Sequence, residues 1–485
     1  MLTRFEVRGF KNLVDVDLHL GPMTCIAGPN AVGKSNLFDA IKLMRELANR
    51  SIVDAFSEVR RGSDELESLF TWGGSNRIEL AAEMLIPESG VDDFGQEATA
   101  VARYLRYELS LELVEPSEQR IRLVSETLRI LSKTEAVQRL RFEHSPEWLD
   151  SIFGLSIQHG QDLITTEESG GKRVVRLLQE RQDDDRRGDR HSSFPAENLP
   201  RTVLSSAQNA SESGTAVLVR REMRNWRILG LEPSALHGPD TYKNPEAISE
   251  KGEHLPGTLQ RLCQDPRQAE SADRLLARVA NRLAELVEGV QSLRVERDDS
   301  RKLLTLMLRD TQGHDVAASA LSDGTLRFLA LVILENDPEV TGLVCLEEPE
   351  NGIHPGRLIA MLRLLEDMAC DTQLPVDVDN PLRQILVNTH SPSFAAIMPE
   401  DALLFARIRP FVTNGRQVHG AVLQALDPTW RTDAGFAEAV APGSILSYLE
   451  GSSGLGLRPI STAEIDERRR DVVSHVRRQL RLFGD

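Results

Sequence analysis

Apolar positions mark out a framework along the chain. Leu2 to Val7, Val14 to Leu20 and Met23 to Ala27 read as three strands, with a turn carrying Gly9, Lys11 and Asn12 between the first two. A glycine-rich turn follows. Leu37, Ile41, Met44 and Leu47 then recur at helical spacing, which predicts an amphipathic helix after Lys34. Arg77 to Ile86 and Tyr104 to Val114 alternate apolar and polar residues, as strands of an antiparallel sheet do. From about Glu115 to Ser300 the pattern weakens. Glu180 to Ser193 has mixed charge without apolar periodicity and reads as a solvated loop, whereas Ser271 to Val290 repeats Leu275, Val279, Leu283, Leu286 and Val290 as a helix does. Beyond Gln291 a hairpin is expected from SLRV and LLTLML. A compact α/β segment then follows: a helix after Ser322, an apolar strand from Gly342 to Leu346, a helix from Pro355 to Met368 and a strand from Gln384 to Asn388. After about Ala402 the pattern gives at most one more strand, Leu403 to Ile408, and a charged helix from Thr462 to Leu482.

Composition narrows the class. Of 485 residues 40% are hydrophobic and 27% charged, the balance of a globular protein with a sizeable core. The 57 Lys and Arg against 74 Asp and Glu, a formal charge of −17, exclude a uniformly basic coat but leave room for a local basic stripe. Cys25, Cys263, Cys345 and Cys370 form no CxxC pair, so neither a zinc ribbon nor a disulfide framework is expected; Cys25 and Cys345 read as buried fillers. The N-terminus lacks the order of a signal peptide, and no apolar run reaches the roughly 18 residues that span a bilayer. A cytoplasmic protein without membrane association is the expectation.

Four polar clusters stand at the ends of these elements. Gly28, Pro29, Asn30, Ala31, Val32, Gly33, Lys34 and Ser35 fit G-x-x-x-x-G-K-[ST], with a strand before and a helix opening into Asn36 behind. Such a loop turns its N-H groups onto phosphate oxygens; Lys34 would reach the β- and γ-phosphates and Ser35 would ligate Mg²⁺. Gly342 to Pro355 ends a strand in Glu347 and Glu348. Because side chains alternate along a strand, the two carboxylates should diverge, Glu347 holding Mg²⁺ and Glu348 deprotonating the attacking water. Alone, such a pair is more often solvated charge; beside a phosphate loop the functional reading prevails. Ile385 to Phe394 presents His390 after a strand, placed to donate to a γ-phosphate. Ser322, Asp323 and Gly324 precede a helix as an N-cap, which doubles as an anion site if a second subunit brings a nucleotide to it.

In order, FKNL, GPNAVGKSN, LSDGT, LEEPENGIHP and NTHSP resemble the motifs of the ABC-type ATPases of the RecF, SMC and overcoming-lysogenisation-defect group, over residues 1–115 and from about 300 onward. The resemblance implies an α/β fold, an ABC-type P-loop ATPase head whose mixed sheet is flanked by helices, with an antiparallel β subdomain and a mainly helical insertion. It divides the chain into 1–115, the N-terminal head with Walker A; 116–300, an insertion or lid; 301–410, the C-terminal head with signature, Walker B and switch histidine; and 411–485, an extension. Glu348 and His390 would be catalytic, and Ser322 with Gly324 the signature acting in trans. Glu350 and Asn351 fall where a D-loop would lie, and no glutamine stands out as a Q-loop. Asp323 departs from the glycine common in transporters. No Toprim nuclease is expected, since Asp377 and Asp379, a D-x-D without an apolar lead-in, read as loop decoration.

The resemblance implies ATP and Mg²⁺ as cofactors, homodimerisation through ATP-bound heads, a nuclease or other effector as partner, and DNA as a further ligand, in DNA repair or anti-phage defence. A slow ATPase serving as a nucleotide-sensing scaffold is the second reading. A transporter nucleotide-binding subunit is the third, disfavoured by the long stretch between Ser35 and Ser322.

Overall fold

The computed structural model describes residues 1–59, 66–71, 76–115, 120–153, 162–169, 171–180, 191–245, 247–265 and 271–449. They belong to two compact units, one of residues 1–226, 370–384 and 400–440, the other of 227–369, 385–399 and 441 onward.

The first unit carries an eight-stranded antiparallel sheet in the order His191–Pro195, Lys172–Leu178, Ile164–Ser169, Arg120–Ile130, Tyr104–Glu115, Arg77–Leu85, Leu2–Phe10, Leu13–His19. Strand alternation explains its two faces. Phe5 and Val7 pair with Leu18 and Val16 on one side and with Ala82 and Leu80 on the other, all buried. On the opposite face Arg4 meets Asp17 at 2.6 Å and Arg8 meets Asp15 at 2.7 Å, the cross-strand ion pairs that a solvated face allows.

Four of these strands come from the segment whose pattern is weak. Arg120–Ile130 shows why. Ser125 pairs with Ser110 but Leu123 with Leu111, so Val124 is bulged and the alternation slips. Glu126, one residue after Ser125, is fully buried: it accepts from the Tyr107 hydroxyl at 2.9 Å and from the N-H groups of Val203 and Leu204 at 2.7 Å each. Burial pushes its carboxyl up to about 7. The expected loop from Glu180 to Ser193 is corrected at its end, because His191 to Ser193 pair with Arg176 to Leu178; residues 181–190 lie outside the described residues.

The same unit holds Met23–Ala27, with Leu403–Thr413 parallel beside it. Leu403–Thr413 turns through Asn414 and Gly415, both at positive φ, into Arg416–Ala425. A single strand after Ala402 is therefore too few. Asn-Gly between two extended runs is a hairpin signal in its own right; Arg416, Gln417 and His419 hide it because much of the hairpin is exposed and needs no apolar alternation. The expected helix at Thr462 to Leu482 lies outside the described residues.

In the second unit Gly342–Glu347 is paired in parallel with Arg227–Leu229, and Arg383–Thr389 lies on its other side. Helices Asp323–Glu335 and Leu358–Met368 pack against each other. A separate antiparallel sheet contains Val290–Asp298 and Leu303–Asp310, the expected hairpin, with Asp240–Thr241 and Asp315–Ala317 at Leu303–Asp310. Helix Ala272–Ala284 covers Val290–Asp298. It stops earlier than expected: Leu286 and Val287 close a turn on Leu283, and Gly289 at φ 82° redirects the chain so that Val290 begins a strand. Cys25 and Cys345 are buried and unbridged. No helix among the described residues is long and apolar enough to cross a membrane.

Candidate functional site

In the first unit the buried strand Met23–Ala27 delivers the chain to the loop Gly28–Gly33, and helix Lys34–Leu47 begins at once. Pro29, Asn30, Ala31 and Ser35 are exposed, while Lys34 is 7% exposed and folds its Nζ back onto the carbonyl oxygens of Gly28 at 2.7 Å and Pro29 at 2.8 Å. Gly33 has φ 110°, and a Cβ there would lie 2.6 Å from Asn12 Oδ1, so glycine is required on both counts.

Asn12 braces the loop. Its amide donates to the Val32 carbonyl at 3.1 Å and accepts from Asn36 at 2.8 Å, while Lys11 pairs with Asp39 of the helix at 2.7 Å. In the sequence Asn12 stands in a turn and in the FKNL motif, with no role attached to it. Its signal was the short polar residue in a turn between two strands.

In the second unit Glu347 ends its strand and Glu348 turns at φ 48°, a left-handed conformation that is strained for a residue with a side chain. Five contacts hold it. Its N-H donates to the Asn388 carbonyl at 3.0 Å, its own carbonyl accepts from Arg327 at 3.3 Å and from the Asn351 N-H at 3.1 Å, Oε1 lies 2.6 Å from His390 Nδ1, and Oε2 accepts from the Asn351 amide at 2.6 Å. A carboxylate only accepts, so Nδ1 carries the hydrogen and Nε2 is the ring atom turned away from Glu348. Glu347 goes elsewhere, its Oε2 3.6 Å from where a Cβ on Gly230 would sit.

Glu350, 5% exposed, is hydrogen-bonded to the Thr389 hydroxyl, whose oxygen accepts the Ser391 N-H at 2.9 Å. This bond ties the loop after Glu348 to the turn that presents His390. Burial, before all else, raises the Glu350 carboxyl above the usual carboxylate range. In the sequence Glu350 and Asn351 follow Glu348 closely; their contacts with Thr389 and Glu348 are seen only in the fold.

Ser322 caps helix Asp323–Glu335, its oxygen accepting from the Thr325 N-H at 3.3 Å. Behind it Gly324 touches the backbone of Gly352: a Cβ at Gly324 would run into the Gly352 carbonyl oxygen. Asp377 spends its Oδ1 on the N-H groups of Asp379 and Asn380, an Asx turn within a loop. Among the described residues no group of three or more His, Cys, Asp or Glu is arranged to hold a metal.

Known proteins resemble this chain to different extents. A nuclease of the overcoming-lysogenisation-defect type from Thermus scotoductus (strain ATCC 700910 / SA-01) is 50% identical over 44 residues, 9% of this chain and 8% of the length of that relative. The chain is also similar to the solved SMC head bound to the C-winged helix domain of ScpA, at 13% identity over 88% of this chain and 98% of that one with TM-score 0.43. The SMC head domain from Thermotoga maritima gives 14% identity over 88% and 99%, with TM-score 0.33. Residues 23–396 match the family model described as "AAA domain, putative AbiEii toxin, Type IV TA system". That stretch is well over half of the chain and runs from the first residue of strand Met23–Ala27 to beyond His390, so the chain belongs to this family of AAA-domain ATPases.

Proposed function

We propose that this chain binds ATP with Mg²⁺ and hydrolyses it, and that two copies close on the bound nucleotide. The observation that carries the reading is the strained Glu348, with one carboxylate oxygen on His390 and the other on Asn351. A carboxylate so oriented suits a base for the attacking water.

Gly28 to Ser35 would cradle the phosphates, with Asn36 continuing the helix behind them. Lys34 would exchange the carbonyls of Gly28 and Pro29 for phosphate oxygens. Mg²⁺ usually takes few protein ligands beside the phosphates, so the Ser35 hydroxyl and the Glu347 carboxylate would suffice as its protein donors. Bound Mg²⁺ would neutralise charge on the phosphoryl oxygens. Glu348 would take the proton from water, and His390, its Nδ1 hydrogen spent on Glu348, would donate to the γ-phosphate from Nε2 when that nitrogen also carries a hydrogen. Ser322 and Gly324 offer the capped helix end to the nucleotide held by a second copy.

The 44-residue likeness to a nuclease supports a nuclease or other effector as the partner, with DNA as a further ligand, in repair or anti-phage defence. Two measurements test the proposal. Lys34→Ala protein mixed with Ser322→Arg protein should recover part of the ATPase activity that each lacks, because one composite site per mixed dimer keeps both halves. No recovery from demonstrated mixed dimers removes the second copy from the reaction. Mass spectrometry of what co-purifies from native cells tests the effector: absence of any nuclease or other protein sets that part aside.

A further inference from the structure

Asp323 opens the signature helix with a carboxylate, which suits a helix N-terminus but repels a phosphate brought to the same end. The structure shows what holds it. His237, which follows the short helix Pro233–Leu236 and belongs to none of the motifs, places Nε2 3.0 Å from Asp323 Oδ1 and Nδ1 2.7 Å from the Ser319 carbonyl oxygen. A carbonyl oxygen never donates, so Nδ1 bears a hydrogen. An ionised carboxylate never donates either, so Nε2 bears another, and a ring with two donors is the imidazolium. The pKa of His237 is accordingly raised, first by the Asp323 hydrogen bond and then by the Ser319 carbonyl. Leu236 beside it is buried and anchors the segment. His237 also lines a pocket with Leu255, Leu303, Leu306 and Arg301; Asp323 is the charged group in contact with it among the described residues.

We propose that His237 is a positioning residue for ATP hydrolysis: its imidazolium neutralises Asp323 and keeps that carboxylate against the Pro233–His237 segment, leaving the N-H groups of the signature turn for the γ-phosphate on a second copy. The inference rests on the trans role of Ser322 and Gly324 proposed above. It assigns a cause to the tolerance of an acid at the signature, where glycine would carry no charge to neutralise. A raised histidine pKa means that the pair is complete below the ordinary histidine value and is lost as pH rises through the raised one. The ATPase profile should therefore carry an alkaline limb set by His237.

The test uses the full-length chain. Histidine-labelled protein, with His237 assigned through His237→Gln, is titrated by NMR with and without Asp323→Asn; the His237 midpoint should fall in the variant. His237→Gln should lower the ATPase rate about tenfold, the scale of one uncompensated charge a few ångströms from a phosphate in partly screened surroundings. The alkaline limb should already be absent from His237→Gln, and adding Asp323→Asn should restore most of the lost rate. Equal binding of labelled ATP by all variants separates the effect from misfolding. A fully active His237→Gln protein, a double variant no better than the single, or a His237 midpoint indifferent to Asp323→Asn overturns the proposal. The mixed dimers of Lys34→Ala and Ser322→Arg report on the trans reading separately: rescue here without recovery there keeps the neutralisation of Asp323 and discards the second copy.

Discussion

The loop Gly28–Gly33 and the turn Glu347–Asn351 are built by opposite means. The first is shaped by backbone: a glycine at φ 110° where a Cβ would strike Asn12, exposed residues at the rim, and a lysine lying on two carbonyls. The second is shaped by side chains: one strained glutamate whose two oxygens are held by a histidine and an asparagine. A backbone site is specified by what is missing, a side-chain site by partners that must all arrive. The first should fail by losing binding, the second by losing rate.

Four substitutions can break that division, and the largest effect belongs to the side-chain region. Glu348→Gln keeps the shape but cannot accept a proton from water, so ATP turnover should fall by about a thousandfold, within the range for loss of a general base, while labelled ATP still binds. Lys34→Ala should weaken ATP affinity by about a hundredfold, on the scale of a lost charge-assisted contact to phosphate, as read by equilibrium binding. Asn351→Ala frees one oxygen of Glu348 and should cut turnover by about tenfold, the worth of one hydrogen bond to a charged group, with affinity unchanged. Asn12→Ala removes the brace under Val32 and Asn36 and should weaken binding by about threefold to fivefold, near the net worth of one neutral hydrogen bond. If Asn351→Ala lowered affinity as much as turnover, or Asn12→Ala touched turnover alone, the division would collapse.

Glu126 sharpens the contrast from outside both regions, as a carboxylate that serves backbone N-H groups rather than chemistry. Its folded pKa of about 7 lies above the ordinary glutamate value. The folded state therefore holds the proton over a window in which the unfolded state has lost it. Stability should decline as pH rises from the ordinary glutamate value to about 7 and then level off. Urea unfolding across that window checks it, and Glu126→Gln should flatten the decline.

The same division decides what the sequence discloses. Gly28, Gly33 and Lys34 are legible because a backbone-made loop needs those residue types at fixed spacing, and the strand and helix around them follow from apolar periodicity. Gly342–Glu347 and Arg383–Thr389 are legible as buried runs ending in polar groups. Illegible were the bulge at Val124 and the buried Glu126, which spoil the alternation of Arg120–Ile130, and the exposed hairpin beyond Ala406, whose one signal is Asn414-Gly415. At the site, Glu348 and His390 could be named from strand ends. Arg327, which holds the Glu348 carbonyl, and His237, which holds Asp323, sit at no diagnostic spacing, because their meeting is made by chain folding rather than by local pattern.

Where Gly324 lies on Gly352, two stretches of main chain meet with nothing interposed, one opening the signature helix and the other closing the loop that carries Glu348, Glu350 and Asn351. Side chains at an interface can swing aside and absorb a shift. Bare peptide planes have no rotamers to give, so a displacement of one stretch is handed to the other almost undiminished. The pair makes a stiff joint between the start of helix Asp323–Glu335 and the loop that carries Glu348. A methyl group at Gly324 would run into the Gly352 carbonyl, and one at Gly352 would add left-handed strain, so either would act as a spacer that forces the two stretches apart.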